Sequence, residues 1–204
     1  MNTDKQFYIL MGKPGSGKGT QAELLQKKLQ ESHADVMHIT TGGAFREFIK
    51  ADGFVSSQAR NLQNSGGLQP EFLAIWIWAG VFIQSIKENT TVILDGAPRK
   101  VIETEALHDV FPFLGYPYPH VIHIDVSDDW ARDRQKFRQA QSVEKRPDTE
   151  SDAEITKRLA LFQKDIVPCI EVFKHDSRYT FTRINGEQSV EEVHQAILAT
   201  LGLV

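Results

Sequence analysis

A glycine-rich segment directly after an apolar run constrains this chain more than any other feature of its sequence. The run Phe7–Met11 predicts a buried strand, and the segment Gly12-Lys-Pro-Gly-Ser-Gly-Lys-Gly-Thr20 follows it. With glycine at 12 and 17 and lysine at 18, the segment fits the pattern G-x-x-x-x-G-K. Such a loop turns successive backbone N–H groups toward one centre at the start of a helix, which suits a phosphate group. The sequence therefore predicts a phosphate-binding loop in which Lys18 supplies a full positive charge.

Strand and helix patterns alternate along the rest of the chain. Short apolar runs predict five buried strands, at Phe7–Met11, Val36–Ile39, Thr91–Leu94, His120–Val126 and Tyr179–Ile184. Helical patterns lie at Thr20–Gln30, Glu71–Glu88, Asp128–Gln139, Ser151–Phe173 (with a kink expected at Pro168) and Ser189–Leu201. This alternation favours an α/β fold, and we predict a P-loop NTPase fold whose five-stranded parallel sheet has helices on both faces. Ligands of such sheets bind beyond the C-terminal ends of the strands.

Composition excludes several classes of protein. The 204 residues carry 23 Lys and Arg against 27 Asp and Glu, a net charge of −4, which argues against a nucleic-acid or anionic-membrane partner. The single cysteine, Cys169, excludes an internal disulfide and a multi-cysteine zinc site, and it favours a cytoplasmic location. The longest apolar stretch, Phe72–Ile83, is shorter than the roughly 20 residues that span a bilayer, and we interpret it as a buried helix.

The third predicted strand ends in an acid and an arginine, within Asp95-Gly-Ala-Pro-Arg99. A carboxylate at a strand tip beside a phosphate loop can hold the water shell of Mg²⁺, so Asp95 is a candidate metal residue acting through water. Arg99 can grip a phosphate with two parallel hydrogen bonds. Gly19 stands where most P-loop proteins have Ser or Thr, so we expect Mg²⁺ to rest on nucleotide phosphates and water rather than on a direct protein ligand.

These two segments together resemble the adenylate kinase family of nucleoside monophosphate kinases, and the similarity covers nearly the whole chain. The resemblance implies reversible, Mg²⁺-dependent transfer of the terminal phosphoryl group of ATP to AMP, giving two ADP. It implies a core of residues 1–40, 71–138 and 149–204, a monophosphate-binding insert at 41–70 and a short lid, without zinc, at 139–148. ATP and a nucleoside monophosphate are its implied partners, and a monomer is the implied state.

The same resemblance implies roles for individual residues. The catalytic charges would be Lys18, Arg99, Arg138, Arg146 and Arg158, with Asp148 holding lid arginines. ATP would bind to Gly12, Lys13, Pro14, Gly15, Ser16, Gly17, Lys18, Gly19, Thr20, Arg134, Arg138 and Gln188. AMP would bind to Thr41, Gly42, Arg46, Gly67, Leu68, Gln69, Gly96, Arg99, Glu103, Arg146 and Arg158.

Three residues depart from the family pattern and leave the acceptor open. Gly43 stands where the family usually has Asp, Ala97 where it has Phe, and Glu103 where it has Gln. An ionised Glu can only accept hydrogen bonds, so it suits the N1–H and N2–H₂ donors of guanine better than adenine. The bland alternative is that Glu103 faces solvent or is shifted by a turn. AMP is therefore the default acceptor, GMP is the first alternative, and a nucleotide-binding homologue with weakened catalysis is the third reading.

Overall fold

A computed structural model describes residues 5–32, 35–65, 67–141 and 151–204. The predictions for Arg146, Asp148 and most of the lid lie outside these residues. The division into core, insert and lid stays a prediction.

The centre of the fold is a parallel sheet in the order β2-β3-β1-β4-β5. Its strands are β1 (Phe7–Gly12), β2 (Val36–Thr40), β3 (Thr91–Asp95), β4 (His120–Asp125) and β5 (Thr180–Asn185). All neighbouring strands pair in parallel. The five strands and the α/β class predicted from the apolar runs are confirmed.

Helices cover both faces of this sheet. They are α1 (Lys18–Gln30), α2 (Thr41–Phe48), α3 (Phe54–Asn64), α4 (Glu71–Ser85), α5 (Val101–Leu114), α6 (Asp128–Gln141), α7 (Asp152–Leu161), α8 (Val167–His175) and α9 (Val190–Leu201). The sequence reading missed α2, α3 and α5. Two of them carry residues that weaken a helix pattern, a glycine pair in α2 and Pro112 inside α5.

Alternation along the strands divides the apolar core in two. In β1, Phe7 and Ile9 point to one face, where α4, α5 and α8 pack, and Tyr8 and Leu10 point to the other, where α1 and α9 pack. Because both faces are covered, every residue of β1 is buried.

The helical region 152–175 is less regular than its sequence pattern suggests. A π-helical turn, Phe162–Ile166, separates α7 from α8, and Pro168 lies in the first turn of α8. Proline has no N–H to donate to the carbonyl one turn earlier, so the regular α-helical ladder is broken there. Capping boxes start two of the helices, Ser151 with Glu154 before α7 and Ser189 with Glu192 before α9.

The expectation of a buried helix over Phe72–Ile83 is wrong in part. Trp78 lies in the core, but Trp76 is largely exposed, as are Phe72 and Ile83 at the two ends of the stretch. A helix that lies on a sheet turns only one side toward it, so an all-apolar sequence leaves apolar side chains outside. In the part of the chain that the structure describes, no helix is long and apolar enough to cross a membrane.

Candidate active site

The loops that follow the strands meet at one edge of the sheet. Asp95, at the end of β3, pairs in register with Leu10 of β1 and with Thr40 of β2. The end of β1 lies beside β4, with Gly12 opposite Ile124. The glycine loop, α2, the Asp95–Arg99 segment and α6 therefore all start from this edge.

The glycine loop curls tightly against α6. Gly15 has a φ of 90°, and a Cβ on it would lie 2.5 Å from the carbonyl oxygen of Ala131. Glycine is therefore required there by both backbone conformation and space. Lys18 follows the curl and donates from Nζ to the carbonyl oxygens of Gly12 at 2.7 Å and Lys13 at 2.9 Å.

Cations crowd around Lys18. Burial lowers the pKa of Lys18 to about 8; Asp95 opposes this shift, whereas the positive charges of Arg99, Arg158 and Arg138 add to it. Three of the predicted catalytic arginines therefore lie close enough to Lys18 for their positive charges to lower its pKa. A partly buried lysine near arginines is an arrangement that a polyanion stabilises.

Lys13 fixes the loop from its other side. Its Nζ donates to the carbonyl oxygen of Val126 at 2.7 Å and pairs with the Asp128 carboxylate at 2.7 Å. The side chain is therefore directed to the start of α6. Lys13 would therefore support ATP binding by holding the loop in place.

Asp95 suits the metal role that the sequence suggested. A Cβ on Gly19 would lie 3.8 Å from Oδ2 of Asp95, so the position that lacks a hydroxyl side chain faces this carboxylate. Among the described residues, no three His, Cys, Asp or Glu side chains gather as a metal site. A carboxylate that faces a position without a hydroxyl side chain fits an ion that keeps its water shell, as Mg²⁺ commonly does.

The segment after β2 is tied to the segment after β3. Thr41 donates from Oγ1 to the carbonyl oxygen of Gly96 at 2.8 Å, and Arg99 donates from Nε to the same oxygen at 2.7 Å. Arg46, in the last turn of α2, lies next to Gly42, with Nη1 3.4 Å from where a Cβ on Gly42 would be. Thr41, Gly42, Gly96 and Arg99 are therefore brought together.

Gly43, where the family pattern has Asp, lies against the Thr40 side chain. A Cβ on Gly43 would lie 2.4 Å from Oγ1 of Thr40, so any larger residue at 43 requires the Thr40 side chain to rotate away.

A small cavity opens beside Arg99. The residues that line it come from α2, the loop before α4, α4 itself and the start of α5: Phe45, Leu68, Gln69, Ala74, Arg99, Lys100 and Glu103. Four of these, Leu68, Gln69, Arg99 and Glu103, belong to the predicted acceptor set. Gly67 lies in the same loop before α4 and packs against Leu62.

Glu103 faces this cavity from a buried position, with 2% of its surface exposed. Its Oε1 accepts a hydrogen bond from the backbone N–H of Arg99 at 3.1 Å. Burial raises the pKa of the Glu103 carboxyl, and Arg99 partly opposes the shift. Trp78 of α4 also opposes the rise in this pKa. The alternative that Glu103 faces solvent is wrong.

Three other residues predicted to bind ATP are exposed to solvent. Arg134 is exposed, with its guanidinium carbon 6.0 Å from the Trp130 ring. Arg138, on the same helix, and Gln188, before α9, are also exposed.

The sequence reading missed Gln135. It is buried on α6, and Arg158 of α7 donates a hydrogen bond to it at 3.3 Å. The only sequence signal was a polar residue in the middle of a charged helix, which is also what a solvent-facing position looks like.

Sheet order 2-3-1-4-5, with a lysine-bearing glycine loop between β1 and α1, defines a P-loop nucleotide-binding protein. A family model described as adenylate kinase matches residues 10–178. The chain therefore belongs to the adenylate kinase family, and it is a phosphotransferase of the nucleoside monophosphate kinase class.

Curated relatives match almost end to end. Adenylate kinase 1 of Nostoc sp. is 32% identical over 194 residues, covering 95% of this chain and 97% of the relative. An adenylate kinase of Synechococcus sp. is 32% identical, covering 95% and 94%. An adenylate kinase of Xylella fastidiosa is also 32% identical, covering 95% and 98%.

Proposed function

We propose that this protein transfers the terminal phosphoryl group of Mg²⁺-bound ATP reversibly to AMP, giving two ADP. The observation that carries the proposal is the position of Arg99, which acts on the pKa of Lys18 and also lines the neighbouring cavity. A guanidinium between Lys18 and this cavity can contact a phosphate group of the donor and one of the acceptor. The names of the relatives support the same reaction.

On the donor side, the loop from Gly12 to Thr20 would hold the ATP phosphates with its backbone N–H groups. Lys18 would place its charge on the β and γ phosphates. Lys13 would keep the loop pressed to α6 through its bonds to Val126 and Asp128.

In the transfer itself, an oxygen of the acceptor phosphate bonds to the γ phosphorus while the bond to the β–γ bridging oxygen breaks. The work of the protein is to align the two phosphates and to neutralise charge. Arg99, Arg138 and Arg158 are the described arginines that act on Lys18, and they would stabilise the charge on the transferred group. The role of Arg146 stays a prediction.

Mg²⁺, when bound with ATP, neutralises phosphate charge. Asp95 would hold its water shell.

On the acceptor side, Arg46 and Arg99 would take the AMP phosphate, and the base would lie against Glu103 once the small cavity there widens. Recognition of adenine N1 would require a protonated Glu103 carboxyl that donates a hydrogen bond, and the burial that raises the pKa of Glu103 favours that form. An ionised Glu103 only accepts hydrogen bonds and would favour guanine instead. Because Glu103 lines the cavity, GMP is the second candidate acceptor.

An acceptor panel tests the proposal. Formation of ADP from ATP is measured with AMP, GMP, CMP and UMP, for the wild type and for Glu103→Gln. Glu105→Gln, on the exposed side of the same helix, is the matched control. We expect AMP to rank first, Glu103→Gln to raise the ratio of AMP to GMP use, and Glu105→Gln to change nothing.

Two results would contradict this reading. A wild type that prefers GMP would reverse the order of the two acceptors. ATP binding without phosphorylation of any monophosphate would show a homologue with weakened catalysis.

A further inference from the structure

Lys100 brings a positive charge to the cavity that holds Glu103. Both side chains line that cavity, although of the two only Glu103 belongs to the predicted acceptor set. The backbone N–H of Glu103 donates to the carbonyl oxygen of Lys100 at 3.0 Å, so the two residues belong to one turn at the start of α5. A cation beside a buried carboxyl stabilises the ionised form of that carboxyl.

Glu71 offsets the Lys100 charge from the start of α4. Its Oε1 lies 2.7 Å from Nζ of Lys100, and the two groups form a hydrogen-bonded ion pair. Both side chains are partly covered, so water screens the charges of this pair only in part. The ion pair therefore joins α4 to α5 at a residue that lines the cavity.

Lys100 stays positively charged among several carboxylates. The hydrogen bond with Glu71 raises the pKa of Lys100, burial opposes the rise, and Asp165 of the π-helical turn and Glu103 add smaller contributions. Because Glu103 acts on Lys100, the charge of Lys100 acts on Glu103 in return.

Glu103 can recognise a different base in each of its two forms. Its protonated carboxyl can donate to adenine N1, whereas its ionised carboxylate suits the donors of guanine. Burial raises the pKa of this carboxyl, and Arg99 opposes the rise. The Cys169 thiol also interacts with Glu103, but burial raises its pKa to about 12, so it stays neutral.

We propose that Lys100 and Glu71 together set the base preference of the acceptor site, Lys100 by stabilising the ionised form of Glu103 and Glu71 by offsetting the Lys100 charge. The inference rests on the proposed function, because it takes Glu103 as the side chain that faces the acceptor base. Neither Lys100 nor Glu71 needs to touch the nucleotide for this effect.

Removing the two charges one at a time should move the preference in opposite directions. Isothermal calorimetry measures the dissociation constants of AMP and GMP for each variant. In Glu71→Gln, Lys100 loses its counter-charge, so binding of GMP relative to AMP should strengthen about two- to fivefold. In Lys100→Met, the cation is lost and the Glu71 carboxylate remains, so the same ratio should shift toward AMP by a similar factor.

Two further variants separate charge from structure. The double variant Glu71→Gln/Lys100→Met removes one charge of each sign, so its ratio should return close to that of the wild type. Lys28→Met removes a lysine from another ion pair, with Glu31 of α1, and should leave the ratio unchanged. A pair that acted only by joining α4 to α5 would give the same shift in both single variants and in the double variant.

Carbon-13 NMR of the Glu103 carboxyl gives a second measurement that needs no phosphoryl transfer, with Glu103→Gln to identify the signal. We expect the titration midpoint to be lower in Glu71→Gln and higher in Lys100→Met than in the wild type. Shifts in the same direction, or no shift, in either the binding ratio or the midpoint would overturn the inference. Failure to phosphorylate AMP in the acceptor panel would instead count against the proposed function.

Discussion

Gln135 of α6 accepts a hydrogen bond through Oε1 from Nη1 of Arg158 of α7, at 3.3 Å. The other end of the same amide donates to the carbonyl oxygen of Ala131 at 3.1 Å. Ala131 is also the residue against which Gly15 packs. One buried amide thus connects an arginine near Lys18 to the helix that supports the phosphate loop.

Replacement of Gln135 should therefore lower catalysis more than stability. Gln135→Leu places an apolar side chain next to the apolar cluster of Val126, Ala131, Ile155 and Leu159, so the fold should tolerate it. We expect kcat to fall about tenfold, about 1.4 kcal/mol of transition-state stabilisation, with little change in the KM for ATP. Steady-state kinetics and a thermal melt measure the two effects.

A double variant shows whether Gln135 acts by positioning Arg158 or only by packing. In Arg158→Ala, the change Gln135→Leu should have no further effect on kcat, because the group that Gln135 orients is gone. Additive losses in the double variant would count against this role.

Lys18 should be indispensable for transfer and dispensable for folding. Lys18→Met removes the charge on the phosphates, and we expect kcat/KM to fall by at least about 10³-fold. The same change removes one cation from a group that repels itself, so the melting temperature should stay close to that of the wild type. Circular dichroism during heating checks the fold, and near-normal turnover would contradict the role of Lys18.

The value of kcat/KM for ATP should fall as the pH rises above about 8. The pKa of Lys18 is about 8 in the empty protein, so the side chain is charged below pH 8 and increasingly neutral above it. Because kcat/KM reports groups of the free enzyme, kcat/KM for ATP should drop about tenfold for each pH unit above that point. A pH profile of kcat/KM measures it.

Lys18→Arg is the control for this profile. A guanidinium stays charged over the whole range, so the alkaline drop should disappear in whatever activity that variant keeps. An unchanged drop in Lys18→Arg would assign it to another group.

Two glycines of the loop should differ in their cost of substitution. Gly15 and Gly17 both have a φ of 90°, which penalises any side chain. A Cβ on Gly15 would also collide with the backbone of Ala131, whereas one on Gly17 would meet nothing within 4 Å. We expect Gly15→Ala to lower the free energy of unfolding by more than Gly17→Ala does, by about 1 kcal/mol or more. Urea unfolding compares them, and equal losses would show that the contact with α6 has no influence.

Local sequence patterns were sufficient to predict the sheet and the phosphate loop. The runs around Ile9, Ile93 and Ile122 predicted strands because parallel strands buried on both faces are apolar throughout. Lys18 and the glycines around it predicted the loop because their spacing is set by backbone geometry within a few residues. The helices α2 and α5 were missed because a glycine pair and Pro112 weaken their local patterns, whereas α3 was missed although its pattern is amphipathic.

Long-range contacts were beyond the sequence. Nothing near Gln135 in the chain indicates Arg158, which lies 23 residues away. Only the family resemblance grouped Thr41 with Gly96, 55 residues away, and it did not indicate the hydrogen bond between them. The exposure of Trp76 and the burial of Trp78 also depend on which side of α4 meets the sheet.

The sequence by itself determined that this chain builds a parallel sheet with a phosphate loop after its first strand, because both follow from apolar runs and glycine spacing. Only the tertiary structure decided that Glu103 lines a cavity beside Arg99 and that three arginines act on Lys18. Those relationships join segments far apart in the chain, and packing of helices against the sheet sets their distances.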